Sequence, residues 1–164
     1  MIIDFKDLPA LREKHKDKKI VFGSGTFDLT HAGHVLYFED CKKLGDIFIV
    51  MVGNDPAVKK SKGEDRPIMN QHVRLKMVDS LKPVDYSFLD YFMPEDHYFG
   101  CLEEAFKILK PDIYVVNDEG RDLKTREELV KKYGIKMVVL PRSAPDTFEK
   151  ISTTKIIEKI KRLS

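Results

Sequence analysis

Cysteine is scarce in this chain. Only Cys41 and Cys101 occur, far apart and in neither a CxxC nor a Cys/His ligand spacing, which excludes a disulfide framework and argues against a zinc site. Both are expected as reduced thiols. Net charge is scarce too: 29 Lys and Arg face 27 Asp and Glu, so a polyanion such as duplex DNA is not an expected partner and any attraction to phosphate has to be local. Long apolar runs are missing. The longest, IFIVMV at 47–52, falls far short of the roughly 20 residues that span a bilayer, and the N-terminal MIIDFKDLP carries an early acid and no apolar h-region. Neither a nucleic acid nor a membrane is expected as a partner, and a cytoplasmic location is. No internal repeat, low-complexity tract or Pro/Gly/Ser linker divides the 164 residues, which predicts a single domain over 1–164.

What the chain does have is a regular alternation. Short apolar runs at 20–22, 47–52, 84–88, 113–116 and 136–140 predict strands. Helix-period segments at 31–44, 70–81, 99–109, 122–133 and 152–163 lie between and after them, and His15 falls in a basic N-terminal helix. Wholly apolar strands separated by helices indicate a parallel sheet covered on both faces. The prediction is a single-domain, doubly wound, Rossmann-like α/β fold with five parallel strands. Ligands of such sheets bind outside the carboxyl ends of the strands, where strand order reverses, and the first such end is the stretch GSGTFDLTHAGH at 23–34.

Two predicted helices begin in an unusual way. Thr125-Arg126-Glu127-Glu128 reads as a capping box, with lysines in the last turn and Gly134 beyond, so that helix is self-sufficient. The helix after Thr30 instead opens His-Ala-Gly-His, and the last helix opens Ser152-Thr153-Thr154-Lys155, with no acid in either first turn. Each forgoes roughly 0.3–1 kcal/mol of dipole complementarity. An outside anion supplies the missing charge, and both starts are read as phosphate-binding helix tips. Gly23, Gly25 and Gly33 agree, since each permits close approach of a ligand. The pattern is neither GxGxxG nor a P-loop. His31 and His34 share one helical face that continues through Phe38 and Cys41. A satisfied core pair and a metal site are the alternatives, and zinc would need a third protein ligand that no residue supplies at a suitable spacing. The polar segment 53–68 reads as a solvated loop able to close as a lid, with Lys62 functional and Lys59 and Lys60 as surface charges.

GTFDLTHAGH resembles the HxGH signature of the cytidylyltransferase-like nucleotidyltransferases. KGEDRP, followed by Arg74 and Val84-Asp85, resembles the central block of heptose-1-phosphate adenylyltransferases. LPR at 140–142 and ISTTKI at 151–156 resemble the closing block of glycerol-3-phosphate cytidylyltransferases. The resemblance implies transfer of a nucleotidyl group from a nucleoside triphosphate to a phosphorylated small molecule, with release of pyrophosphate. It assigns His31, His34, Lys62 and Arg142 to catalysis. It assigns Gly25, Thr26, Phe27, Ser152, Thr153 and Thr154 to the nucleotide and Arg74 and Asp28 to the acceptor, with a loop cap as the other reading of Asp28. Asp118, in the turn Asn117–Gly120, would meet the base. Mg²⁺ would arrive as a complex with the triphosphate, with few protein ligands, and a homodimer is expected because family members often form one. The acceptor is expected to be a polyol or sugar phosphate and the nucleotide CTP, with ATP as the nearest alternative. A nucleotide-binding regulator without catalysis is a further reading.

Overall fold

The computed structural model describes residues 1–91, 99–120, 122–141, 144–149 and 151–163. Five strands form one parallel sheet: β1 (Ile20–Gly25), β2 (Ile47–Val52), β3 (Tyr86–Leu89), β4 (Ile113–Asn117) and β5 (Lys136–Leu140). Their order is β3-β2-β1-β4-β5, so the direction of winding reverses between β1 and β4. All five predicted strands are present. They were readable because a strand covered on both faces needs apolar residues throughout.

Among the described residues seven α-helices accompany the sheet: α1 (Leu8–Lys14), α2 (Ala32–Lys42), α3 (Asp55–Lys62), α4 (Gln71–Asp79), α5 (Gly100–Leu109), α6 (Leu123–Lys132) and α7 (Thr153–Lys161). Alternate strand residues feed two cores. Phe22, Ile49, Phe88 and Tyr114 meet α1, α5 and α6 on one face, while Val21, Phe48, Val50 and Val115 meet α2 and α4 on the other. Helices therefore cover both faces, as a doubly wound sheet requires.

Two local expectations are corrected. The segment 53–68 is not all loop, because it contains α3, whose start is well specified: Asn54 caps it through Oδ1, which accepts from the Ala57 amide at 2.7 Å, and Pro56 lies in the first turn. Gly63, with φ 99°, ends it. Thr125 is not a helix cap. Leu123 packs against the core and starts α6 three residues earlier than that cap would, so Asp122 is the N-cap and Glu127 and Glu128 fall in the second turn. The same shift turns Arg126 toward the sheet.

Candidate active site

A cleft of about 610 Å³ opens at the carboxyl ends of the strands, across the β1/β4 reversal. Its floor begins at Gly25, where an added Cβ would lie 2.7 Å from the Phe27 ring. Glycine lets that ring tuck beneath the strand end, edge-on to His34 at 5.7 Å and to Phe38 at 4.9 Å. Phe27 and Leu29 hold left-handed backbone, with φ 53° and 46°. Such strain persists only where the surroundings over-determine it. Here they do, through Asp28.

Asp28 is 1% exposed. Its Oδ2 accepts from Arg66 Nε at 3.1 Å and from the Ile68 amide at 2.8 Å, and its Oδ1 accepts from the Met69 amide at 3.0 Å. Both carboxylate oxygens are committed to the α3–α4 connection, so Asp28 is a loop cap. Its assignment to the acceptor is corrected on that ground. Its backbone carbonyl accepts from Thr153 Oγ1 at 2.8 Å, which ties the start of α7 to the same loop.

α2 begins at His31, and its two imidazoles cap it. His31 Nδ1 accepts from the Gly33 amide at 3.1 Å, and His34 Nδ1 accepts from the His31 amide at 3.3 Å. This is a capping box made of histidines, with ring centroids 4.1 Å apart. The tip is therefore not bare, as the sequence suggested. An acid in either place would cap equally well but would cancel the helix dipole, whereas a neutral imidazole caps without charge. Accepting through Nδ1 also leaves the proton on Nε2 in both rings.

The second tip faces the first. A Cβ added at Gly33 would stand 3.7 Å from the Ile151 carbonyl, and Ser152 caps α7 by accepting from the Lys155 amide at 3.2 Å. His31, His34, Ser152, Thr153 and Thr154 line one cleft, with Gly25, Thr26 and Phe27 beside them. Lys62 joins this wall from α3. Lys59 turns outward instead, half exposed, and pairs with Glu64 at 3.6 Å.

Two more assignments change. Arg74 is fully buried and lies beneath the cleft as a fastener: Nε donates to the Met69 carbonyl at 2.9 Å, Nη1 to the Thr26 carbonyl at 2.6 Å, and Nη2 to the Gly53 carbonyl at 2.7 Å and Asp55 at 2.8 Å. With its donors spent on the backbone that shapes the site, it is corrected from acceptor ligand to scaffold. In the β4–α6 turn the Asn117 side chain accepts from the Glu119 amide at 3.0 Å, and Asn117, Glu119 and Gly120 line the cleft. Asp118 in that turn is exposed and is not among the residues that line the cleft. Arg142 lies outside the described residues, as do residues 92–98 of the aromatic-rich sequence 86–100.

Sequence reasoning missed Arg126, which lines the cleft from α6. Its Nη1 donates to Tyr114 Oη and, at 3.3 Å, to Ser24 Oγ. Ser24 and Tyr114 bond each other at 2.8 Å. Its guanidinium lies 5.1 Å above the Phe99 ring. The available signal was a hydroxyl in each of two adjoining apolar strands. Asp90, 6% exposed at the end of β3, was missed as well. On the opposite wall Tyr37 donates to the Val115 carbonyl at 3.2 Å, and burial holds its phenol well above the ordinary value.

The cytidylyltransferase-like family profile matches residues 22–159. The chain belongs to the cytidylyltransferase-like family. A relative, the bifunctional protein HldE of Nitratiruptor sp., is 38% identical over 98% of this chain and 32% of its own length. The chain thus spans about a third of that relative. An FAD synthase of Aciduliprofundum boonei is 38% identical over 85% of this chain and 89% of its own. Among solved structures, the lipopolysaccharide core biosynthesis protein of Thermoplasma volcanium shares 28% identity and superposes with a TM-score of 0.61, covering 79% of this chain and 99% of that one. No helix among the described residues is long and apolar enough to cross a membrane.

Proposed function

We propose that this chain transfers an adenylyl group from ATP to the phosphate of a small phosphorylated acceptor. The observation that carries the reading is the convergence of the α2 and α7 tips on one cleft, with Thr153 bonded to the Asp28 carbonyl between them. Two uncompensated helix N-termini and two Nε2–H imidazoles make a site for several phosphate oxygens in a row. ATP is preferred over CTP because relatives include an FAD synthase, and FAD is FMN extended by an adenylyl group.

The acceptor phosphate oxygen attacks the α-phosphorus in line. A new P–O bond forms as the bond to the α–β bridging oxygen breaks, and pyrophosphate leaves with that electron pair. No bond to the protein is made. Catalysis is therefore positioning and charge stabilisation. His31 and His34 donate through Nε2 to oxygens of the reacting phosphate, and Ser152, Thr153 and Thr154 hold the outer phosphates. Lys62 neutralises charge from the α3 side, and Arg142 completes the set. Mg²⁺ enters as the complex of ATP. Among the described residues no group of three or more His, Cys, Asp or Glu is placed to hold a metal on its own.

The test is pyrophosphate release with each of the four ribonucleoside triphosphates against FMN, glucose 1-phosphate and glycerol 3-phosphate. ATP-dependent release is expected. Release with CTP alone rejects the adenylyl reading, and tight nucleotide binding without turnover on any acceptor makes the chain a binding protein instead.

A further inference from the structure

We propose that Arg126 is the anchor for the acceptor substrate, a specificity-determining residue that takes the part the family resemblance assigns to Arg74. The inference rests on the nucleotidyl-transfer reading above, though not on which base is used. Three observations carry it.

The first is position. The sheet reverses between β1 and β4, and Ser24 and Tyr114 belong to those two strands. Arg126 bonds both hydroxyls, so its guanidinium sits over the crevice where ligands of such sheets lodge. The phosphate-binding tips rise from the face covered by α2, and Arg126 descends from the face covered by α6. A nucleotide held at the tips and a second molecule held at Arg126 would meet end to end across the strand ends, which is the arrangement in-line attack requires.

The second is construction. Tyr114 is fully buried, and its ring packs among Phe22 and Phe106. A phenylalanine would fill that space. The hydroxyl is retained and spent on holding Arg126 and Ser24, while Phe99 braces the guanidinium plane from the side. An arginine fixed on two sides loses little side-chain freedom when it binds an oxyanion.

The third is the surrounding wall. Met51, Leu102 and Val116, each at least nine-tenths buried, line the same cleft as Arg126, together with the acids Asp90 and Glu119. A guanidinium in a cleft with apolar wall suits a phosphate monoester with a compact organic body, because charge-assisted bonds strengthen away from water. The other arginine of the described cleft wall, Arg66, is tied to Asp28, and Arg74 is sealed beneath it.

The experiment compares the wild type with Arg126→Gln, Arg126→Lys and Tyr114→Phe. Calorimetry measures binding of the α,β-methylene analogue of ATP and, separately, of FMN, glucose 1-phosphate and glycerol 3-phosphate. Turnover gives KM for ATP and for whichever ester reacts. For Arg126→Gln the ester's affinity is expected to fall about tenfold or more, the scale of a charge-assisted fork, with the ATP analogue unchanged within about twofold. Lysine should restore part of the loss, and Tyr114→Phe should raise the ester's KM while leaving kcat near the wild-type value. Equal weakening of nucleotide and ester, or an unchanged ester affinity, overturns the assignment. Turnover with CTP in place of ATP rejects the adenylyl reading and leaves this one standing, because the ester arm does not involve the base.

Discussion

At the scale of single residues, the site is built from groups that do two jobs. His31 and His34 close the first turn of α2 through Nδ1 and present Nε2–H. The two jobs are separable by mutation. His34→Ala should lower kcat by about 10²–10³, the scale of removing one preorganised donor at the reacting centre. His31→Asn keeps an oxygen acceptor for the Gly33 amide, so its melting temperature should stay near the wild type's while turnover drops. His31→Ala should lose both, at a cap cost of about 1 kcal/mol. Arg74 shows the opposite specialisation. Arg74→Ala strips donors from the Thr26, Gly53 and Met69 carbonyls, and at about 1 kcal/mol for each unmet partner the loss is about 3 kcal/mol. Urea denaturation would read it. Any rise in substrate KM in the fraction still folded should be indirect, through the Thr26 and Gly53 backbone that lines the cleft, since the side chain itself does not reach it.

At the scale of elements, the five strands and the helices at both ends of the site were legible because each rests on a local pattern. Continuous apolar runs gave the parallel strands and the helix period placed α2 and α7, whereas an acid-free first turn does not set those two apart, since α1, α4 and α6 share it. Three things were not legible, each for a physical reason. The run of lysines in α3 hid a helix whose Asn54 cap and Pro56 were in plain view, because its buried side amounts to little more than Ala57 and Val58. The cap of α6 was misread at Thr125 although the helix period already covered 122–133, because where Leu123 finds the core is recorded in no local motif. The burial of Arg74 contradicts the usual exposure of arginine, and only the folded backbone supplies carbonyls enough to satisfy it. α3 yields its own prediction. Its lysines differ in direction, so Lys62→Ala should raise KM for the nucleotide several-fold while Lys59→Ala, whose exposed pair with Glu64 is worth about 0–1 kcal/mol, should change neither KM nor stability measurably. Equal effects would mean that the helix acts as a diffuse positive surface.

At the scale of the molecule, the reversal of strand order decides where everything meets. β1 leads to α2 on one face of the sheet and β4 leads to α6 on the other, so the two loops diverge and leave the crevice that the cleft occupies. The glycines, the histidines and Arg126 are distant in sequence and adjacent only because of this topology. That is why a reading of local motifs picked out the two helix tips and passed over the opposite wall. A ligand that spans both faces should stiffen the whole domain. Saturation at 100-fold above Kd contributes about 2.7 kcal/mol, so ATP with Mg²⁺ should raise the melting temperature by several degrees, and by more than CTP does at equal concentration. A larger shift with CTP would reverse the proposed preference.

The histidine cap carries one more implication. Because the latch on the opening turn of α2 is a lone pair on an uncharged ring and not a carboxylate, it closes the turn without adding negative charge to the cleft. Replacing His34 by aspartate keeps an acceptor for the His31 amide and adds that charge. The melting temperature of His34→Asp should therefore stay near the wild type's while its Kd for the nucleotide rises about tenfold or more, and an unchanged Kd would show that the missing charge is irrelevant to the cleft.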